Sequence, residues 1–365
     1  MFNNVFKNKK ILITGHTGFK GSWLSIWLHQ LGAEVFGISK GLVSNPSNFS
    51  AADVHKFIHD IRLDITDYEQ TKAQIEAIEP DFVFHLAAQA LVRTSYENPV
   101  ETITSNAIGS VNILEALRVI NKSVTVLMIT SDKVYDNVEW SWGYREIDRI
   151  GGKDPYSASK GMAELAIRSY YESYLKQDSS NIRIAITRAG NVIGGGDWAK
   201  DRIVPDCAFS WSKGKIVKIR SPRATRPWQH VLEPLSGYLT LAMKLKDNIK
   251  FHGQAYNFGP SSDQNFPVSH LIEEMKKHWK KVNWEDVSNN DMVHEASLLK
   301  LNCDKALENL NWKSVLSFEK TVEMTINWYK EFYENMNEEV LDVNVRQIEE
   351  YTNIAKLKGL EWASD

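Results

Sequence analysis

Apolar positions along this chain gather into short unbroken runs, and the stretches between them carry helical periodicity. Ile11, Leu12 and Ile13 form the first run, after which Trp23, Leu24, Trp27, Leu28 and Leu31 recur at helical spacing until Gly32 stops the pattern. Residues 33–38 are the next apolar run, so the opening of the chain reads as a β-α-β unit. Residues 60–64 then read as a strand end, 68–78 as a helix, 82–86 as a buried strand, 111–120 as a helix and 124–129 as a strand. A helix over 161–175 and a strand over 182–187 continue the series. Such alternation predicts an α/β fold, a Rossmann-type doubly wound parallel sheet whose ligands lie at the carboxyl ends of the strands. Beyond Gly190 the pattern loosens into Gly194-Gly-Gly196, several prolines and shorter helices such as 271–279. This predicts a smaller C-terminal substrate-binding lobe, dividing the chain into a dinucleotide-binding domain over 1–188 and a mainly substrate-binding lobe over 189–365. Some segments of the second part are expected to return to the first. The polar, helix-prone stretch after Asn337 reads as a surface element or an oligomer contact.

Between the first run and the first helix lie Gly15, Gly18 and Gly21, spaced by three. Gly15 permits a tight turn, Gly18 lets backbone approach a pyrophosphate, and Gly21 lets the helix pack on the strand, while free N–H groups at the helix start attract anionic oxygens. A dinucleotide is the predicted ligand. Its contacts are expected from Thr17, Phe19 and Lys20 in the same loop, from Ser39, Asp60 and Ile61 near the next two strand ends, and from Leu86, Ala87 and Ala88 after the buried strand. The second strand ends in Ser39-Lys40 where an NAD enzyme usually shows an acid for the ribose hydroxyls, and Lys40 is able to attract a 2′-phosphate.

The 365 residues carry 43% apolar and 24% charged side chains and a net charge of −3, enough for a main core and a smaller lobe without the basic footprint of a nucleic-acid binder. No apolar run approaches the roughly 20 residues that span a bilayer, and the charged start over 1–10 does not read as a secretory signal. The expected setting is the cytoplasm. Cys207 and Cys303 stand alone, and His55 and His59, four apart, read as a solvated helix face, so no metal site is expected. Trp23, Trp27 and Trp279 sit on helical stripes and read as core, leaving Trp198 and Trp228 in site-like loops.

Tyr156-Ser-Ala-Ser-Lys160 places a phenol and an ammonium one helical turn apart, with Asp154 and Pro155 able to start that helix. A nearby cation stabilises phenolate, so this spacing predicts a tyrosine base with a lowered pKa. With Thr130-Ser131 after the preceding strand, the set resembles the Ser-Tyr-Lys triad of the extended short-chain dehydrogenase/reductase family. Ser131-Asp132-Lys133 resembles the acid-bearing motif of nucleotide-hexose 4,6-dehydratases, and specifically the Ser-Asp-Lys of CDP-glucose 4,6-dehydratases. Residues 15–24, 139–146, 188–198 and 226–231 share that resemblance, which spans roughly residues 5 to 330.

The resemblance implies internal redox with NAD on a CDP-glucose substrate. Ser131, Tyr156 and Lys160 would oxidise C4, and Asp132 would protonate the departing C6 hydroxyl. Lys133 stands where related dehydratases carry the glutamate that removes the C5 proton; as a free amine it would be that base, and otherwise it orients Asp132. Asn191, Arg202 and Arg226 would hold the nucleotide sugar, with Arg226 as diphosphate clamp and Gln89, Arg93 and His294 at the same pocket. A homo-oligomer through the helices flanking Tyr156 is implied as well. Another nucleotide-hexose dehydratase or epimerase, or a non-catalytic dinucleotide sensor, stays open at this stage.

Overall fold

A computed structural model describes residues 1–177, 180–199, 202–288, 299–335 and 339–364. Its frame is laid down in chain order by β1 (Lys10–Thr14), α1 (Phe19–Gln30), β2 (Glu34–Ser39), β3 (His59–Arg62), α2 (Tyr68–Ile78) and β4 (Phe82–His85). There follow α3 (Gly109–Arg118), β5 (Val124–Ile129), α4 (Pro155–Tyr170), β6 (Ile182–Ala189), α5 (Leu232–Asp247) and β7 (Ala255–Phe258). The chain closes with α6 (Val268–His278), α7 (Phe318–Glu334) and α8 (Val340–Leu357).

The seven strands form one sheet in the order β7-β6-β5-β4-β1-β2-β3, every pair parallel. Strand residues alternate between two cores, as a pleated strand requires. Ile11, Ile13, Phe82, Phe84, Leu127 and Ile129 face one side, while Leu12, Val83, Val126 and Met128 face the other. Burial on both faces explains why these strands read as continuous apolar runs. The strand order reverses between β1 and β4, which opens a crevice at their carboxyl ends.

Three expectations are corrected. His55 lies in a short 3-10 turn and His59 begins β3, stacked on the Phe36 ring at 4.3 Å, so the two share no helix face. The stretch after 337 is no mere surface element: α8 buries Val343, Asn344, Ile348 and Tyr351, packing against α1 and α7. Trp198 and Trp228 are structural as well. Trp198 donates its indole N–H to the Tyr333 hydroxyl at 2.9 Å and packs edge-on to Trp328, and Trp228 donates to the Phe266 carbonyl at 3.1 Å.

The expected core tryptophans Trp23, Trp27 and Trp279 are buried. Trp27 meets Phe2 from the start of the chain and Trp362 from its end, and those two rings stack on each other at 5.1 Å. Among the described residues no helix is long and apolar enough to cross a membrane, and no His, Cys, Asp and Glu grouping suits a metal.

Candidate active site

The loop after β1 is packed backbone to backbone. Gly15 adopts φ +77°, and a Cβ there would lie 2.7 Å from the Ala87 amide nitrogen; at Gly21 a Cβ would lie 2.2 Å from the Gly15 carbonyl oxygen. Only glycine permits either approach. Gly18 caps α1 and no side chain covers the first amides of that helix, so they stay open to an anion. Thr17 Oγ1 meets Ser39 Oγ at 2.7 Å and donates to the Gly41 carbonyl at 2.6 Å, joining the loop to the end of β2. Asp60 takes the ring of His16 at 2.8 Å and Arg62 at 2.7 Å, with Ile61 beside it on β3. Leu86, Ala87 and Ala88 follow β4, and the Ala87 amide donates to Thr14 Oγ1 at 3.2 Å. Lys40 is engaged by Glu101 at 2.8 Å and Asp64 at 3.8 Å, so its charge is already balanced where a 2′-phosphate would have needed it.

Ser131 and Asp132 follow β5 at the next strand end, and α4 brings Tyr156 and Lys160 to face them. Asp154 starts α4 by accepting the Ser157 amide at 2.9 Å, and Pro155 supplies the first helical φ. Ser131 Oγ donates to Asp132 Oδ1 at 3.0 Å and accepts the Lys133 amide at 3.3 Å. Asp132 is wedged between Lys133 Nζ, 3.4 Å from Oδ1, and the backbone of Gly190, where a Cβ would stand 3.4 Å from Oδ2. Ser131, Asp132, Tyr156 and Lys160 are all buried.

One electrostatic expectation fails here, and one open alternative narrows. Burial pushes the Tyr156 phenol above its ordinary value, against the opposing pull of Lys133, the Ser131 hydrogen bond and Arg202. Lys160 is itself lowered to about 8 by burial, with Glu164 opposing. The spacing placed the ammonium correctly on the helix, but burial weakens its charge. Lys133 moves the other way: the Asp132 carboxylate holds it above the ordinary lysine range, so it is a charged partner of Asp132 and not a free amine.

The remaining predicted residues divide. Arg202 pairs with Asp197 at 2.5 Å and acts electrostatically on Tyr156 and Lys20, and the field of Arg226 reaches Lys133, so both arginines join this cleft. Asn191 sits between β6 and these arginines, its carbonyl accepting the Gln229 amide at 3.3 Å. Gln89 is spent on its own loop, donating to Thr102 Oγ1 at 2.9 Å and to the Leu91 carbonyl at 3.1 Å. Arg93 stands exposed on a short helix, and His294 lies outside the described residues.

Lys20, expected against the dinucleotide, turns from the first turn of α1 into the cleft, its Nζ 3.4 Å from the Tyr238 hydroxyl, and burial lowers it to about 7 with Asp132 opposing. The residues beneath the site were not foreseen. Beneath the site, Glu164 and Arg188 form a wholly buried ion pair. Thr130 Oγ1 donates to Glu164 at 2.6 Å, and Arg188 donates to the Tyr135 hydroxyl at 2.7 Å. Glu164 sits one turn beyond Lys160, a position that marks it in the sequence once the helix is known.

A doubly wound sheet with this glycine loop and a Ser-Tyr-Lys set defines a dinucleotide-binding protein of the short-chain dehydrogenase/reductase kind. The family model described as GDP-mannose 4,6 dehydratase matches residues 12–325, and the chain belongs to that family. It is 41% identical over 352 residues, 95% of this chain and 97% of the relative, to the CDP-glucose 4,6-dehydratase of Salmonella typhimurium. It is 25% identical over 90% of its length to human dTDP-D-glucose 4,6-dehydratase, of which the match covers 91%. Among solved structures, DesIV, a dTDP-glucose 4,6-dehydratase of Streptomyces venezuelae with NAD and TYD bound, superposes with TM-score 0.74 at 20% identity, covering 88% of this chain and 97% of that one. The epimerase Mth375 of Methanothermobacter thermautotrophicus gives TM-score 0.78 at 22% identity, over 91% and 95% of the two chains, and these two likenesses bear on the fold.

Proposed function

We propose that this chain is a CDP-glucose 4,6-dehydratase, a hydro-lyase that converts CDP-D-glucose to CDP-4-dehydro-6-deoxy-D-glucose and water. The observation that carries this reading is the Ser131-Asp132-Lys133 group facing Tyr156 and Lys160, in a chain 41% identical over nearly its whole length to an enzyme of that name. An acid directly after the serine supplies what an epimerase does not need, a proton for a departing hydroxyl.

The glycine cradle and the uncapped start of α1 suit the pyrophosphate of NAD, with Thr17, Ser39, Asp60, Ile61 and the 86–88 segment along its length. When bound, NAD supplies hydride acceptance from C4 and hydride return to C6. Tyr156 takes the C4 hydroxyl proton, with Ser131 at the end of β5 facing it. The C4 ketone then acidifies C5–H, a base takes that proton and returns one to C5 as C6 is reduced, and Asp132, protonated on entering the step, gives its proton to the C6 hydroxyl as water leaves. Lys133 orients Asp132. Arg202, Arg226 and Asn191, in the lobe built from residue 189 onward, receive the nucleotide diphosphate.

Two free cysteines suit a reducing cytoplasm. We assign the product to bacterial deoxysugar and surface-polysaccharide synthesis, the O-antigen of lipopolysaccharide included. Exposed Val100 and Ile108 on the helical segment before and into α3, with Met162 and Leu165 on α4, form an apolar surface suited to a second copy of this chain. Incubation with CDP-glucose and NAD is expected to give the alkaline absorbance of a 4-keto sugar. A response to dTDP-, GDP- or UDP-hexoses in its place would reassign the substrate.

A further inference from the structure

The end of β2 gathers charge from three separate stretches of the chain. Lys40 follows Ser39, and Arg62 stands opposite Ser39 in the register of β3, so two cations flank the place where a doubly wound sheet receives the adenosine ribose of a dinucleotide. By themselves they would suit the 2′-phosphate of NADP, a group carrying roughly −1.5 to −2 charge at neutral pH.

Both cations are already engaged. Arg62 donates to Asp60 Oδ2 through Nη2 at 2.7 Å and Nε at 3.2 Å, and the other oxygen of that carboxylate meets the His16 ring at 2.8 Å. Lys40 Nζ stands 2.8 Å from Glu101 Oε1 and 3.8 Å from Asp64 Oδ2. Among these groups two positive charges are set against three negative ones, so the balance at the end of β2 opposes a phosphate.

Glu101 comes from far along the chain. It lies on the short helix Pro99–Ile103 in the connection from β4 to β5, and its bond to Lys40 joins the stretches that follow β4 and β2, the strands on either side of β1. With both side chains more than half exposed, such a pair contributes at most about 1 kcal/mol to stability. Its larger effect is on what Lys40 is able to bind.

We propose that Glu101 sets the cofactor specificity of this chain: it serves as the acid that the end of β2 lacks, holding Lys40 and turning its own charge against a 2′-phosphate, so that NAD enters and NADP is kept out. Asp64, an ångström farther from the same Nζ, has the smaller part. The inference rests on the dinucleotide reading of the site and is independent of which sugar nucleotide is turned over.

The test is direct binding of NAD and of NADP to the full chain, without substrate, followed by quenching of tryptophan fluorescence. The wild type is expected to bind NAD at least about tenfold more tightly than NADP, and Glu101→Gln to tighten NADP at least about tenfold while NAD changes by less than about threefold. The gain should shrink as salt is raised, and most of it should vanish when Lys40→Met is added to Glu101→Gln. Asp64→Asn should give a smaller gain. An unchanged NADP affinity in Glu101→Gln overturns the assignment, as does an equal gain in the Lys40→Met background or a larger one in Asp64→Asn. Equal affinity of the wild type for the two dinucleotides overturns it as well. If the wild type binds neither, the dinucleotide reading falls first and takes the assignment with it.

Discussion

In the proposed reaction Asp132 delivers the proton that separates a dehydratase from an oxidoreductase that merely inverts or reduces its substrate. Asp132→Asn is expected to oxidise C4 and then stall, because an amide cannot deliver that proton, and reduced cofactor absorbance should accumulate in a single turnover. Tyr156→Phe is expected to lose C4 oxidation by roughly a hundredfold or more while still binding NAD, which cofactor fluorescence would report. The pH response follows from Lys160. Its folded value of about 8 lies below the ordinary lysine value of 10.5, so its positive charge, present below pH 8, is lost as pH rises through that point. The rate of C4 oxidation should therefore fall on the alkaline side near pH 8, and Glu164→Gln, removing the one group that opposes this shift, should move the fall to lower pH. The spacing of Tyr156 and Lys160 was enough to place both groups in the sequence. Their pKa directions were not legible there, because each depends on burial by parts of the chain remote from residues 156–160.

Strand and helix boundaries were legible wherever a run was apolar on both faces or periodic over several turns. The helix at 68–78 and the strand at 124–129 match their predicted bounds. What misled was context: His55 and His59 have helical spacing yet lie on a turn and a strand, because β3 pairs with β2 and pulls its residues straight. The elements also hide a dependence that spacing alone does not reveal. Glu164 on α4 and Arg188 on β6 neutralise each other without solvent, so Glu164→Gln should lower unfolding free energy by about 3 kcal/mol in a denaturant titration, leaving the guanidinium uncompensated. Gly21→Ala presses a methyl within 2.2 Å of the Gly15 carbonyl, so α1 must lift from the loop. NAD affinity is expected to drop by more than about tenfold in a direct binding titration, more than for the same change at Gly18, where the gap is 3.2 Å.

For the whole molecule, the apolar surface of Val100, Ile108, Met162 and Leu165 predicts a dimer in sedimentation velocity, and Leu165→Glu with Met162→Glu should release monomers that keep their fold. The polar composition after 337 concealed how deeply α8 is embedded, since its buried Asn344 and Gln347 read as surface residues until their partners are seen. Asn344 accepts the Trp328 indole N–H, and Gln347 donates to the Met324 carbonyl at 2.7 Å. Trp362→Ala is expected to cost roughly 3–5 kcal/mol, measured by chemical denaturation, because it removes the ring between Phe2, Trp27 and Tyr351. That aromatic clasp also sets an order of events during synthesis. Trp27 belongs to the helix whose first turn would receive the pyrophosphate; Phe2 meets it from the start of the chain, yet the rest of this aromatic cover arrives only with Tyr351 and Trp362, near the end of synthesis. On the ribosome this helix is therefore only partly covered until the far end of the chain reaches it, and its packing is completed among the last events of folding.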